Sequence, residues 1–278
     1  FGELVGLWCV DTWERLGQPD PFLLVELGPG RGTLMADALR AARVRPEFGQ
    51  AMRLHLVEIS APLRALQAQQ LGAFQPTWHD DLAHLPDGPA LILGNEFLDA
   101  LAVHQFVMTG QGWRERAVTV ADGQLAWTLT PPGPAVSLLR PEHQQAKPGD
   151  MAEVSPAIRD VAARLGRRLA QTPGAALFLD YGPARSGLGD SLQALRGHRP
   201  ADPLRDAGQA DLTTHVDFAA FAAAARQAGA TAFGPVEQGA FLRSLGIEQR
   251  AAMLAEKAAA EDRAAIATAL HRLIAPAQ

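Results

Sequence analysis

Apolar and polar positions in the first hundred residues follow two spacings, one typical of helices and one typical of buried strands. Apolar residues recur at helical spacing over 1–16, which predicts an amphipathic helix that ends at Gly17. The stretch "FLLVELG" at 22–28 is almost entirely apolar, as expected of a strand buried on both faces of a parallel sheet. The same reasoning predicts helices over 33–45 and from the N-cap Ser60, and strands at 53–60, within "PTWHDDL" and at 89–97.

The pattern changes after residue 103. Apolar positions alternate between 104 and 132 and are interrupted by "GQG" and "ADG", which predicts β-hairpins. A long loop region is expected over 183–212, which is rich in Gly, Pro, Asp and Arg. Helices are predicted over 155–171, over 217–229 and after Ile247, and strands at 175–182 and in "ATAFGPVEQ".

Strands and helices alternate in the first part of the chain, and this order predicts an α/β fold. We expect a doubly wound, mostly parallel sheet with a β-hairpin insertion and additional helices. Residues 1–278 are expected to form one domain, with a core of 1–103 and 151–278 and an insertion at 104–150. The sequence opens without Met inside a predicted helix, so segments at both ends are expected to be missing.

Composition narrows the function classes. The chain has 278 residues, of which 47% are hydrophobic and 20% charged, as in ordinary soluble globular proteins. A net charge of −5 leaves no basic surface for nucleic acid, and no apolar run predicts membrane insertion. The single cysteine, Cys9, excludes an internal disulfide and favours a reducing compartment.

The stretch "VELGPGRGTL" at 25–34 places Gly28, Gly30 and Gly32 directly after the first predicted strand. The dinucleotide fingerprint G-x-G-x-x-G fails here, because Thr33 stands where the third glycine belongs. The Walker A motif fails as well, because no Gly-Lys-Ser/Thr follows. A ligand-binding loop and a turn that only reverses the chain stay open as interpretations.

An acidic residue, Glu26, precedes these glycines inside the end of the strand. This arrangement resembles the first motif of class I S-adenosylmethionine-dependent methyltransferases. Glycines let the backbone pass close to a ligand, and a carboxylate suits a ligand that carries an ammonium and a sulfonium. The predicted cofactor-binding residues of this motif are Glu26, Gly28, Gly30 and Gly32.

Further polar residues follow the next predicted strands. Glu58 ends the second strand, where a carboxylate can accept hydrogen bonds from both ribose hydroxyls, although a solvated surface role is the alternative. Asp80 and Asp81 follow the third strand, where such enzymes hold the adenine amino group, and one of the two is expected to contact ligand. Asn95 ends the fourth strand at the edge where open α/β sheets place their ligands.

Several segments, taken in order, resemble one family. They are "ELGPGRGTLMADALRA", "GNEFLDAL-VHQF", "LFLDYG", "LRGHR--DPL", "ADLTTHVDF" and "EQGAFLRSLGI". This is the MidA-like family of class I methyltransferases, whose mitochondrial members are assembly factors of respiratory complex I. The chain departs from the family at Ala102, where Pro is usual, which affects only the local turn.

The resemblance implies a Rossmann-like enzyme that uses S-adenosyl-L-methionine to dimethylate an arginine of a quinone-proximal complex I subunit, or of its bacterial equivalent. The partner is then a protein substrate, and a homodimer stays open. The implied location is the cytoplasm for a bacterial member and the mitochondrial matrix for a eukaryotic one.

Two acidic residues just after the fourth strand are the candidate catalytic pair. A guanidinium is cationic and a poor nucleophile, so an arginine methyltransferase needs carboxylates that hold the planar fork. We expect Glu96 to be the main clamp and Asp99 its partner on one side of a first helical turn, with an ordinary helix N-terminal acid as the alternative for Asp99. His104 and His215 are further candidates for proton removal or channel shape, with ordinary structural roles as the alternative.

Asp180 and Tyr181 end the fifth core strand and are expected at the ligand edge, with Tyr181 near the substrate. No Cys/His cluster predicts a metal site. Two other functions remain as alternatives. The first is an assembly chaperone that binds S-adenosylmethionine and acts through protein contacts, using apolar stretches such as "FVM" and "LAW". The second is an NAD-dependent oxidoreductase, which the failed dinucleotide fingerprint disfavours.

Overall fold

The computed structural model describes residues 1–197 and 199–275, which form two compact units. The first unit comprises Phe1–Asn95, Gln171–Leu179 and Gly234–Gln278, and the second comprises Glu96–Ala170 and Asp180–Phe233. The prediction that residues 1–278 form one domain with an insertion at 104–150 stays a prediction.

The strands and helices occur in the order that the sequence pattern predicts for most of the chain. The strands are β1 Phe22–Leu27, β2 Met52–Val57, β3 Thr77–His79, β4 Ala90–Asn95, β5 His104–Thr109, β6 Gly112–Ala121, β7 Gln124–Thr130, β8 Met151–Val154, β9 Gly174–Leu179, β10 Gln193–Arg196, β11 Arg199–Ala201 and β12 Asp211–Thr213. The helices are α1 Gly2–Arg15, α2 Thr33–Ala42, α3 Pro46–Ala51, α4 Ala61–Leu71, α5 Pro156–Gln171, α6 Phe218–Gln227, α7 Gln238–Ser244, α8 Ile247–Lys257 and α9 Ala260–Ile274.

The first unit contains a five-stranded parallel sheet with the order β3-β2-β1-β4-β9. Every residue of β1 is buried, as expected of a central parallel strand. The chain moves outward from β1 to β3 and then returns to place β4 on the other side of β1. Open α/β sheets bind ligands at the carboxyl ends of the strands beside such a reversal, here between β1 and β4.

Helix α1 packs closely against α2 in this unit. A Cβ atom built on Gly6 would lie 2.3 Å from the carbonyl oxygen and 2.6 Å from the Cα of Ala38. Only glycine therefore permits this distance between the two helices. The core between helices and sheet includes Val5, Cys9 and Trp13 of α1.

The second unit contains two antiparallel sheets, with the orders β7-β6-β5-β8 and β11-β10-β12. The first confirms the predicted hairpins. Ala121 pairs with Gln124 across a two-residue turn in which Asp122 and Gly123 have φ of 52° and 74°. These positive values are those of a type I′ turn, for which Asp-Gly is a favoured sequence.

The structure corrects the predicted secondary structure in three respects. The expected loop region 183–212 contains the short strands β10–β12, which are too short to show a period in the sequence; residue 198 lies outside the described residues. The strand expected in "ATAFGPVEQ" is not formed there, because Gly234 has a φ of 89° and Pro235 has no N–H to donate. Helices α3 and α7 were not expected, and α3 begins with a proline at its first turn, where a missing N–H is harmless.

Among the described residues, none of the helices has both the length and the apolar character needed to cross a lipid bilayer.

Candidate functional site

The glycine loop follows β1 in the first unit, and all three of its alternate glycines have left-handed backbones. The φ angles of Gly28, Gly30 and Gly32 are 60°, 53° and 80°. Each glycine therefore has a conformational reason to be there, independent of any ligand. A Cβ atom on Gly30 would meet no atom within 4 Å, so the backbone at this position borders open space.

Glu26 lies in β1, one residue before the strand ends. Its side chain is only 2% exposed, and its Oε2 atom has no hydrogen-bond partner within the part of the chain that the structure describes. Burial raises the pKa of Glu26 to about 8. A buried carboxyl group without a full set of partners is costly to a fold, which points to a ligand-related role.

Glu58 stands just beyond β2 and is held by backbone and side-chain donors. Its Oε1 accepts a 2.8 Å hydrogen bond from the backbone N–H of Ser60, and its Oε2 accepts one of 3.3 Å from the side-chain amide of Gln67. The carboxylate is buried and fixed in orientation, so the alternative of a solvated surface residue does not describe it.

Gln67 was missed by the sequence reasoning, although it connects two predicted parts of the site. Its Nε2 donates to the carbonyl oxygen of Gly30 at 2.7 Å, and its Oε1 accepts from the indole Nε1 of Trp78 at 2.8 Å. The residue is fully buried on α4, four positions before Leu71. A glutamine at this helical spacing from a core leucine was the available signal.

Asp80 and Asp81 lie after β3 and have different partners. Asp80 is exposed and forms a salt bridge of 2.5 Å with Arg64 of α4. Asp81 accepts a 2.7 Å hydrogen bond from the backbone N–H of Ala83 and caps a short 3-10 turn. The partner of Asp80 is itself fixed, because the Nε of Arg64 donates to the carbonyl oxygen of Glu58 at 2.6 Å, and this links Asp80 to the segment after β2.

A cluster of acidic residues lies in the second unit. Asp180, directly after β9, accepts hydrogen bonds from the backbone N–H groups of Leu98 at 2.8 Å, Asp99 at 3.2 Å and Tyr181 at 2.8 Å. The phenol of Tyr181 donates a 3.5 Å hydrogen bond to Oε1 of Glu96. The structure therefore brings together Glu96, Asp99, Asp180 and Tyr181.

The chain around Glu96 and Asp99 is a turn, and the expected first helical turn is not formed there. Glu96 has a φ of 47°, a left-handed conformation that no helix accommodates. Asp99 is 8% exposed, so the alternative of an ordinary helix N-terminal acid fails for it. Asn95, half-buried as the last residue of β4, directly precedes this turn in the chain.

The members of this acidic cluster differ in how their surroundings shift their pKa values. Burial, then the charge of Asp180 and then that of Glu96, raise the pKa of Asp99 to about 6. Burial also raises the pKa of Asp180, against the three backbone donors that lower it. The pKa of Tyr181 is raised by burial and by Glu96, so its phenol keeps its proton.

His215 lies on a segment that contacts both sides of the cluster. The backbone N–H of Thr214 donates to the carbonyl oxygen of Asp99 at 3.0 Å, and that of Val216 donates to the carbonyl oxygen of Tyr181 at 2.8 Å. The side chain of His215 is exposed between these two anchors. His104 instead pairs with Glu115 across β5 and β6 through its Nδ1, at 2.6 Å.

The residues of the first unit fit the cofactor that the sequence predicts. Glu26 offers an incompletely bonded buried carboxyl group, and Gly30 borders open space. Such a set suits a molecule that carries both a cation and a nucleoside. Over residues 1–197 and 199–275, no group of three or more His, Cys, Asp or Glu side chains could hold a metal ion.

A five-stranded parallel sheet of this order, with a glycine loop after its first strand and acidic residues after its second and third, defines a Rossmann-like methyltransferase fold. The family model described as "Putative S-adenosyl-L-methionine-dependent methyltransferase" matches residues 4–236, and the chain belongs to this family.

Solved and curated proteins resemble the chain over most of its length. A crystal structure from Burkholderia thailandensis, bound to S-adenosyl-homocysteine, has a TM-score of 0.84 and 27% identity over 100% of this chain and 73% of that one. The mitochondrial protein arginine methyltransferase NDUFAF7 of Mus musculus is 37% identical over 93% of this chain and 64% of its own length. The Drosophila melanogaster homolog is 35% identical over 100% of this chain and 70% of its own length.

The chain spans 65% and 64% of the length of the curated relatives from Xenopus tropicalis and Mus musculus.

Proposed function

We propose that the chain binds S-adenosyl-L-methionine and transfers its methyl group to an arginine side chain of a protein. One observation carries the choice of acceptor: Glu96 and Asp99 stand together on a strained turn directly after β4. The family to which the chain belongs and the arginine methyltransferases that resemble it support this choice.

The first unit supplies the cofactor-binding residues in this proposal. Glu26 faces the cationic end of the cofactor, the loop of Gly28, Gly30 and Gly32 carries it, and Glu58 accepts hydrogen bonds from the ribose. Asp80 and Asn95 complete the set, and Asp81 supports the turn that follows Asp80. When bound, the cofactor supplies an electrophilic methyl group on a sulfonium.

The second unit supplies the residues for the acceptor. Glu96 binds the guanidinium, whose charge persists because its pKa lies above about 12. Transfer forms a bond between the methyl carbon and a guanidinium nitrogen and breaks the carbon–sulfur bond, and the nitrogen then loses one proton. Asp99 accepts this proton, because burial and the neighbouring carboxylates raise its pKa to about 6, close to neutrality.

The protein substrate follows from the family resemblance: the quinone-proximal subunit of respiratory complex I, or its bacterial equivalent, dimethylated on one arginine. The name of the mitochondrial relatives supports the chemistry. A location in the bacterial cytoplasm or the mitochondrial matrix fits this substrate, and a homodimer stays a prediction.

An assembly chaperone is the second candidate, and an exposed apolar surface favours it. Val118, Val120 and Leu129 on β6 and β7 are 50%, 68% and 50% exposed. Apolar side chains grouped on one hairpin are typical of a contact surface for another protein. In this alternative the cofactor stabilises the fold, and methyl transfer is not needed for assembly.

Calorimetric titration tests the cofactor half of the proposal. S-adenosylmethionine and S-adenosyl-homocysteine should bind the wild-type chain, and NAD should not. Gly30→Val should lower their affinity at least about tenfold, because valine is strained at a φ of 53°. Gly17→Val is the matched control: its φ of 86° brings the same strain at the end of α1, outside the site. Binding of NAD alone would refute the proposal.

Methylation of the purified quinone-proximal subunit, measured by mass spectrometry, tests the catalytic half. Glu96→Gln should abolish transfer and leave the affinity for S-adenosyl-homocysteine unchanged. Glu142→Gln, an exposed residue outside the cluster, should behave as wild type. If Glu96→Gln still supports full assembly of complex I, the chaperone function is the correct one.

A further inference from the structure

Asp180 is the most extensively hydrogen-bonded carboxylate in the acidic cluster. Its Oδ2 accepts from the backbone N–H groups of Leu98 and Asp99, and its Oδ1 accepts from that of Tyr181. Two chain segments that are about 80 residues apart in sequence, after β4 and after β9, are thereby fixed to one side chain.

These three bonds leave Asp180 little capacity to bind a substrate. An ionised carboxylate has about four lone-pair sites, and backbone donors fill three of them here. Glu96 differs, because it is exposed and accepts only a 3.5 Å hydrogen bond from Tyr181 among the bonds found in this cluster. The two acids are therefore suited to different tasks.

We propose that Asp180 is a positioning residue for methyl transfer, which holds the turn of Glu96 and Asp99 in place without contacting the guanidinium. This inference rests on the proposed function and assigns the geometry of its acceptor site to one side chain.

The neighbouring segment secures the same turn from a second direction. Thr214 donates its backbone N–H to the carbonyl oxygen of Asp99, and Val216 donates to that of Tyr181. Gly182 approaches this segment so closely that a Cβ atom would lie 2.0 Å from the carbonyl oxygen of Val216. The turn is thus held from two directions, and Asp180 makes the shorter side-chain bonds to it, at 2.8 and 3.2 Å against 3.5 Å for the phenol of Tyr181.

Asp180 also acts on Asp99 through its charge. Burial, Asp180 and Glu96 raise the pKa of Asp99, the backbone N–H groups of Ala100 and Asp99 lower it, and Tyr181 interacts with the same carboxylate. His215 follows Thr214 on the adjacent segment and is exposed. Asp180 is the larger of the two charge contributions. Removing its charge should therefore lower the pKa of Asp99 and shift the acidic limb of the rate profile to lower pH.

Two substitutions of Asp180 distinguish the effect of its charge from the effect of its position. Asp180→Asn removes the charge and leaves one acceptor oxygen, whereas Asp180→Glu keeps the charge and moves the oxygens by one methylene. Both should lower kcat, on the order of tenfold to a hundredfold, because small displacements of reacting groups have effects of this size. KM for S-adenosylmethionine and Kd for S-adenosyl-homocysteine should stay within about twofold of wild type.

The pH profile of kcat distinguishes this role from a general structural one. The acidic limb of wild type should lie near pH 6, move lower in Asp180→Asn and remain near 6 in Asp180→Glu. Asp160→Asn, which removes an exposed carboxylate from α5, is the control and should reproduce the wild-type profile.

Results that would overturn the role of Asp180 differ from those that would overturn the proposed function. Wild-type kcat in either Asp180 variant would overturn the inference, as would an equal loss of cofactor affinity and kcat. If Asp180→Asn does not unfold cooperatively, it is not properly folded, and Asp180→Glu alone tests the inference. That variant should then show a reduced kcat with the acidic limb of its pH profile unchanged. A wild-type chain that transfers no methyl group would instead refute the proposed function itself.

Discussion

The side-chain amide of Gln67 donates a 2.7 Å hydrogen bond to the carbonyl oxygen of Gly30, and this bond ties α4 to the glycine loop. The same amide contacts Glu58, and its oxygen accepts from Trp78, so one buried side chain supports both predicted parts of the cofactor site.

Gln67→Ala should weaken cofactor binding and destabilise the fold. The substitution leaves the indole N–H of Trp78 without its acceptor and the Gly30 carbonyl without its donor. An unsatisfied buried group costs about 1–3 kcal/mol, which urea denaturation would measure. Calorimetry with S-adenosyl-homocysteine should show a lower affinity. Gln70→Ala, exposed on the same helix, is the control, and equal effects of the two variants would contradict the assigned role.

Glu26→Gln should abolish cofactor binding and alter the pH dependence of stability. Between about pH 4.5 and 8, folded wild type keeps a proton on Glu26 that the unfolded chain releases. Wild-type stability therefore falls as pH rises through this window, on the order of a few kcal/mol in total. The variant should lack this loss and be the more stable protein at pH 8, in thermal denaturation measured at several pH values. Glu47→Gln, on the exposed side of α3, should keep the wild-type slope.

Asp99→Asn should lower kcat and remove the acidic limb of its pH profile. Asp99 is protonated below its pKa of about 6, where it can neither accept the proton nor attract a guanidinium. Wild-type activity should therefore rise as pH increases through 6. Steady-state rates between pH 5 and 8 measure this. Asp122→Asn is the control, because asparagine is equally suited to the type I′ turn at that position. If the acidic limb of the pH profile persists in Asp99→Asn, the titrating group is not Asp99, and the prediction is wrong.

Gly6→Ala should destabilise the first unit by about 1–3 kcal/mol, because the new methyl group overlaps the backbone of Ala38. Gly49→Ala is the opposite case: it lies on helix α3 with no atom within 4 Å of the added methyl group. That substitution should be neutral or stabilising by up to about 1 kcal/mol. Urea denaturation of both variants compares them, and equal stabilities would contradict the close contact of α1 and α2.

The sequence predicted the parts of the fold in which local pattern and burial agree. The apolar run of β1, the N-cap Ser60 of α4 and the Asp122–Gly123 turn all occur as expected. The strand expected in "ATAFGPVEQ" failed because the backbone of Gly234 and the missing N–H of Pro235 outweigh its apolar residues.

Much of the candidate site could be predicted, because acidic residues at strand ends are visible in the sequence. The three alternate glycines are weaker evidence for a ligand than the sequence suggested, since the backbone angle at each of them already favours glycine. The helical spacing of Gln67 from Leu71 could have indicated its burial, but not its partners. The roles of Gln67 and Asp180 could not be inferred, because each acts through contacts with residues that are distant in the sequence.

The left-handed backbone of Glu96 has a consequence for laboratory evolution of this protein. Glycine or asparagine would occupy that conformation with less strain than glutamate, so selection for heat resistance alone would favour replacing it. Variants enriched in such a screen should then have a higher thermal stability and no methyltransferase activity. Under the proposed function, Glu96 is therefore a residue at which stability and catalysis favour different side chains.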